Sequence, residues 1–377
     1  LYSKRREKIA ESVIGRKMKR DFWGRLYGHL VYKQHRDELS EEEVYEIQTH
    51  LLEQGLYTQA EKSPSHYYIR VVDSEKKKTK PRIGLHIFLL LLTVLTTMLT
   101  GSNLLMRDPL ASWADFWIGG RYAFALLAIL FTHEMGHYLY ARYYKIDVTL
   151  PYFIPFYIPF AFHPGTLGAF IRLRAPIPNK KALFDVGIAG PLAGFVMSIA
   201  FLVIGFNNVP PEEQMWQYIS TLHPLDYDNT ITLTLGGNLL YDFIANAMGK
   251  SYLPMYEMYH FPYIFAGWFG LLVTAINLMP IGQLDGGHIT YAMFGPNAGR
   301  IALLAFGGLI LLNIYLISQF SSFVYVLWTI LILVFIRFKH PPTLDDDISI
   351  GPGRRALGIL SYAIFVVCFS PLPFYLQ

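Results

Sequence analysis

Long apolar runs constrain this chain more than any other feature. Six stretches, at 83–105, 122–144, 182–206, 263–278, 301–317 and 323–338, are rich in Leu, Ile, Val, Phe and Ala and carry little charge. Crossing a hydrocarbon core about 30 Å thick takes roughly 20 such residues as a helix, with a range of about 17–25. The runs at 263–278 and 323–338 fall at the short limit, and a seventh candidate, 357–374, is interrupted by Pro371 and Pro373. The expectation is an all-α polytopic membrane protein with about six to seven transmembrane helices, a re-entrant loop or short β-hairpin, and a small soluble N-terminal region. Composition agrees: charged residues make up 16% of the chain, against about 25% in soluble domains. The single cysteine, Cys368, excludes an intrachain disulfide.

Charge is distributed unevenly. Residues 1–82 are basic and water-compatible. Ser40 followed by Glu41, Glu42 and Glu43 predicts a helix with a capping box, ending near Gly55. His66 to Val72 predicts a strand. Lys76, Lys77, Lys78, Lys80 and Arg82 then form a Pro-broken linker, read as a basic collar beside the bilayer or an anchor on anionic headgroups. Residues 83–340 form the transmembrane core, and 341–377 a C-terminal tail with a possible extra span. The chain begins at Leu1 and displays no targeting peptide; a preceding segment is expected to have been removed or left out. Basic loops alternate with the acidic connection 207–262, which holds Glu212, Glu213, Asp226, Asp228, Asp242 and Glu257 against Lys250. By the positive-inside rule, the N-terminus and the C-terminal end of the second span share the cytosol-like side, of a bacterial inner membrane or an organelle membrane.

Two segments resist a helical reading. Residues 148–165 are apolar but broken by Pro151, Pro155, Pro159 and Pro164. Proline removes a donor and clashes within a helix, and non-helical backbone survives at membrane depth only against protein or a water-filled cavity. A re-entrant or interfacial loop is expected. It leads into 166–174, where Ala169, Ile171 and Leu173 alternate with Phe170, Arg172 and Arg174, as in a strand. Within the acidic connection, 239–249 predicts an amphipathic helix, lying on the bilayer or shielding a site.

The second span contains His133-Glu134-Met135-Gly136-His137. Positions i and i+4 share a helix face, so both imidazoles can reach one metal ion with Glu134 beside them as a base. A charge at the centre of a span costs about 2.5 kcal/mol or more. A polar cluster bonding a neighbouring helix, or lining an ion path, would tolerate that cost but would not require the HExxH spacing. A zinc site needs a third protein ligand and an open position. No further His follows closely on the helix, and no Glu lies between Glu134 and Glu212. Asp147, Asp185 and Asp285 are the candidates. Asp147 sits awkwardly just past the same helix, and Asp185 starts the third span as a possible cap. Asp285 closes the fourth span on the matching side, next to Gly286 and Gly287, which permit close backbone approach.

HEMGH on one span and Asn277-Leu278-Met279-Pro280-Ile281-Gly282-Gln283-Leu284-Asp285-Gly286-Gly287 after a later one resemble the site-2 protease family of intramembrane zinc metalloproteases. Gly190-Pro191 in the span between them fits that pattern, and the stretch around 165–194 is similar to the bacterial and plastid branch. The resemblance covers about 83–340. It implies one Zn2+ held by His133, His137 and Asp285, Glu134 as catalytic base, and Asn277 holding the substrate backbone or the developing oxyanion. It gives His288 no role, and a polar loop residue near the membrane surface is expected there. In this setting the 166–174 strand, with Gly168 and Phe170, could pair with an unwound substrate segment; an ordinary hairpin is the plainer alternative. Gly190-Pro191 reads as a kink, as close packing on the zinc helix, or both.

The implied activity is hydrolysis of peptide bonds in or near the transmembrane segments of membrane-protein substrates within the lipid bilayer. Two other classes compete. A zinc or ion transporter would use the same ligands, but typically shows repeated halves and scattered intramembrane charges. A non-proteolytic membrane chaperone would not need Glu134. No phosphate loop, nucleotide fingerprint or nucleic-acid signature is present.

Overall fold

The computed structural model describes residues 4–17, 22–26, 29–62, 66–72, 82–159, 162–175, 177–225, 232–320, 322–335, 340–343 and 345–376. The basic collar at 76–80 lies outside them. Residues 4–72 build a separate core from α1 (Lys4–Lys17), β1 (Phe22–Leu26), β2 (His29–His35), α2 (Glu41–Glu53), β3 (Tyr57–Lys62) and β4 (His66–Val72). The four strands form one antiparallel sheet in the order β1-β2-β4-β3. Ile14, Tyr32, Ile47, Leu51 and Ile69 are fully buried between helices and sheet. Helix α2 starts as its sequence predicts: Ser40 Oγ accepts from Glu43 N–H while the Glu43 carboxylate accepts from Ser40 N–H.

The apolar body follows. Helix α3 (Ile83–Leu104) turns a threonine stripe inward, with Thr93, Thr96, Thr97 and Thr100 buried, and exposes Phe88, Leu91 and Leu95 on the opposite side. Short α4 (Trp113–Ile118) leads into α5 (Gly120–Tyr143), which carries HEMGH. The proline-broken segment then forms a hairpin of β5 (Tyr152–Pro155) and β6 (Thr166–Phe170) packed on the stripe of α3. His86 Nδ1 donates to the Pro151 carbonyl at 3.0 Å, and Thr100 bonds His163 at 3.3 Å. The loop's backbone is thus held against protein, as non-helical chain at this depth requires.

Helix α6 (Lys180–Asn207) is capped by Asn179, whose side chain accepts from Ala182 N–H. Asp185, expected as a cap, instead accepts two bonds of 2.7 Å from Arg354. The connection 207–262 holds α7 (Glu212–Ser220), β7 (Leu233–Leu235) and α8 (Leu239–Ala247). The α8 helix is amphipathic, with Tyr241, Ile244 and Ala245 buried and Leu239 and Phe243 exposed. Helix α9 (Pro262–Leu278) returns to the starting end of α6, and α10 (Asp285–Phe294) and α11 (Ala298–Phe320) follow.

Among the described residues, four helical runs are long and apolar enough to cross a membrane: Ile83–Leu104, Trp113–Tyr143, Lys180–Asn207 and Asp285–Phe320. Buried α9 is apolar but shorter. Two expected spans differ. Only α12 (Val326–Phe335) is described within 323–338. In place of a span at 357–374, α13 (Pro352–Cys368) stops at Cys368, and β8 (Phe374–Leu376) pairs antiparallel with β7. At 1.5 Å per residue, α13 is about 25 Å long, short of a 30 Å core.

Candidate metal centre

The second half of α5 packs along the first half of α6, and glycine makes that packing possible. A Cβ on Gly136 would lie 2.5 Å from the Ala189 carbonyl oxygen. One on Gly190 would intrude on the His137 ring, and one on Gly194 would lie 3.2 Å from His133 Nδ1. The close packing expected at Gly190 is therefore present, with Pro191 inside the same helix. Across this contact His137 Nδ1 donates to the Val186 carbonyl at 2.7 Å. That bond fixes the tautomer and leaves the Nε2 lone pair free to take a metal ion.

Asp285 comes from another direction. After α9 ends at Leu278, residues 279–284 double back and Asp285 opens α10. The fold is tight: a Cβ on Gly286 would overlap the Leu278 carbonyl, and one on Gly287 that of Gly282. The turn brings Asp285 Oδ2 to 3.4 Å from His133 Nε2 and 3.3 Å from His137 Nε2, and the two Nε2 atoms lie 3.1 Å apart. A tetrahedral ion with arms of about 2.0–2.1 Å has edges of about 3.3 Å between its ligand atoms. Two nitrogens and a carboxylate oxygen, nearly equidistant at that spacing, fit one face of such a tetrahedron. Asp147 and Asp185 do not join the group; Asp185 serves the Arg354 clamp, which Tyr144 Oη also reaches.

Glu134 and both histidines are buried. Glu134 Oε1 sits 4.0 Å from His133 Nε2, and Ile171, just past β6, lines the same cavity as Glu134. Asn277 Nδ2 approaches His133 Nε2 at 3.4 Å from the end of α9. These groups open onto a cavity of about 270 Å³, lined also by Phe170 and Leu284. Gly168 does not line it. Its φ of +99° lies in open space within β6, where the register with β5 slips between Phe153 and Pro155. Glycine is needed there for the bulge, not for room. Among the described residues β5 is the only strand paired with β6, so the other long edge of β6 carries no strand.

The sequence reading missed His288. It is not a loop residue but lies in the first turn of α10, lining the same cavity, with Nδ1 2.6 Å from His340 Nε2. His340 Nδ1 in turn donates to the Pro341 carbonyl. The available signal was the i, i+3 spacing from Asp285, which puts both on one helix face; the Gly-Gly between them suggested a turn instead.

Residues 121–315 match the pattern of peptidase family M50. The chain belongs to this family, the site-2 protease family. Three of its curated relatives carry chloroplastic names. It is 31% identical over 254 residues to "Probable zinc metalloprotease EGY1, chloroplastic" of Oryza sativa subsp. japonica, covering 66% of this chain and 40% of the relative. Against the protein of that name from Arabidopsis thaliana it is 30% identical, covering 67% and 42%. Against "Probable zinc metalloprotease EGY2, chloroplastic" of Oryza sativa subsp. indica it is 30% identical over 288 residues, covering 75% and 49%. The M50 chain thus spans less than half the length of these relatives. No solved structure matches it.

Proposed function

We propose that this chain is a membrane-embedded zinc metalloendopeptidase, hydrolysing peptide bonds in or near transmembrane segments of membrane-protein substrates. His133 Nε2, His137 Nε2 and Asp285 Oδ2 hold one Zn2+, and Glu134 is the general base. The observation that carries the reading is the 3.1–3.4 Å triangle of three donor atoms inside an apolar bundle, with a carboxylate beside it. The names of the three relatives above, each a probable zinc metalloprotease, support the choice of metal. Zinc in such a site polarises a peptide carbonyl and lowers the pKa of an attacking water to about 7.

The chain's own groups do the rest. Glu134 Oε1 takes the proton of the water and returns it to the departing amine. Asn277 Nδ2, aimed into the same cavity, donates to the carbonyl oxygen as it gains charge. The free edge of β6, with Gly168 and Phe170, pairs with a locally unwound substrate, because a carbonyl bonded within a helix is not open to attack. Burial of the cluster among α5, α6 and α10 keeps bulk water from competing for these dipoles. The N-terminal region and the active-site end face the cytosol-like or stroma-like side, on the strength of the basic loops at that end.

The test pairs two readouts on the detergent-purified chain: zinc content, and cleavage of a fluorescent transmembrane-segment reporter, for wild type and Glu134→Gln. Zinc in both with cleavage only in wild type is expected. Cleavage surviving in Glu134→Gln would remove Glu134 as the base, and a His133→Ala protein that kept its zinc and its activity would remove the metal assignment.

A further inference from the structure

At the opposite end of the bundle, a second cluster has the same kind of chemistry. His223 follows α7, while Glu257 and His260 sit in the turn that feeds α9. Glu257 and His260 are each 1% exposed, and the His223 side chain 20%. Glu257 Oε2 lies 3.2 Å from His223 Nε2 and 3.3 Å from His260 Nε2, and the three ligand atoms fall within 4.8 Å of one another. His260 precedes α9 and Asn277 is its penultimate residue, so nearly the whole of this 17-residue helix, about 25 Å at 1.5 Å per residue, lies between them. The cluster is therefore separate from the first centre.

Proton accounting makes it unusual. His260 Nδ1 faces the Leu104 carbonyl at 2.6 Å, and His223 Nδ1 faces the Pro224 carbonyl at 2.9 Å. A carbonyl only accepts, so each Nδ1 carries the ring's proton and each Nε2 presents a lone pair. Both lone pairs then point at one carboxylate oxygen. His260 Nε2 is buried and has no hydrogen-bond partner. An ionised carboxylate only accepts, so Glu257 Oε2 offers neither lone pair a donor. One divalent cation between the three atoms satisfies all of them. The Nδ1–carbonyl bonds are the outer-shell support that metal-bound histidines commonly have.

We propose that His223, Glu257 and His260 form a second divalent-metal site, taking Zn2+ through two imidazole nitrogens and one carboxylate oxygen. The ion ties the segment after α7 to the entrance of α9 and, through His260 and the Leu104 carbonyl, to the end of α3. Its role is to clamp the extramembrane connection.

The full chain is purified in detergent, stripped with chelator, dialysed against micromolar Zn2+, and assayed for zinc per chain. The expected contents are about two for wild type, about one for His133→Ala/His137→Ala, about one for His223→Gln, and none for the combination. A wild type holding about one ion that is lost in His133→Ala/His137→Ala overturns the proposal, as does a His223→Gln protein with wild-type content. About one ion in wild type, kept in His133→Ala/His137→Ala and lost in His223→Gln, retains this site while removing the first. His223 is the most exposed member of the cluster, so its variant is the one expected to fold. Co2+ loaded into the His133→Ala/His137→Ala protein gives a second readout. Visible d–d absorption that disappears on adding His223→Gln supports the site, and absence of absorption overturns it.

Discussion

Replacing Gly190 by alanine tests how the metal centre is assembled. The added Cβ would lie 2.5 Å from His137 Cε1 and closer still to Nε2 and Cδ2. Carbon atoms settle at about 3.5–4.0 Å, so the ring or the helix must give by at least about 1 Å. Metal–ligand distances tolerate only about ±0.2 Å. The ring has no easy retreat, because Nδ1 is anchored to the Val186 carbonyl one turn earlier on the same helix. Loss of a supporting bond alone lowers metal affinity about 10–100-fold; displacing the ligand itself should cost at least about 100-fold. Gly194→Ala brings its Cβ to 3.2 Å from His133, a few tenths of an ångström short, and should cost about 10-fold or less. Gly307→Ala in α11 meets nothing within 4 Å and should leave affinity unchanged, with a gain of up to about 0.5–1 kcal/mol in helix stability. The assay is competition with a chromophoric chelator in detergent, with circular dichroism confirming helix content. A folded Gly190→Ala protein with wild-type zinc affinity would refute the reasoning.

Three further outcomes are expected. Asn277→Ala should lower kcat about 10²–10³-fold with zinc content unchanged; a rise in KM alone would give Asn277 a binding role only. Gly168→Val forces a β-branched residue to φ +99°, costing about 1–3 kcal/mol or the bulge itself, and should depress cleavage of a transmembrane reporter while zinc stays bound; full activity would detach β6 from substrate. Arg354→Ala strips two hydrogen bonds from Asp185, a side chain only 14% exposed, and should destabilise the chain by about 1–3 kcal/mol. Thermal melts of Arg354→Ala, Asp185→Asn and the double variant check this, and strict additivity would show the pair to be uncoupled.

What the sequence revealed depended on how local the determinant is. HEMGH is legible because its two ligands are fixed by one helical repeat, and the Ser40–Glu43 box because both partners lie within one turn. Asp285 is favoured by its side of the membrane and by Gly286 and Gly287, which permit close backbone approach; a Cβ on either would overlap a backbone carbonyl. The same glycines concealed the start of α10, since Leu284 in the cap position offers no capping side chain; His288 was therefore read as a loop residue. The end of the chain is a non-local matter. Pro371 and Pro373 correctly weakened a span, but β8 exists only because β7, more than a hundred residues earlier, is there to pair with it. Glu257 and His260 share an i, i+3 spacing, but His223 joins them only through the paths of α7 and α9, so no sequence pattern could have announced the whole cluster.

The proline-broken segment joins these two kinds of determinant. Four prolines forbid a helix, yet 148–165 is too apolar to leave for water. Only a protein surface offering hydrogen-bond partners at membrane depth can take it, and the threonine stripe of α3, with His86 and His163, does so. Docking there holds β6 with one edge paired to β5 and, among the described residues, no strand on the other, while Ile171 lines the cavity that holds Glu134. An open strand edge is normally a liability that proteins cover. Here it lies beside a buried carboxylate and the triangle of candidate metal ligands, where the proposed function needs an extended peptide. The proposed function gives that edge its use: an unwound substrate segment supplies the second strand.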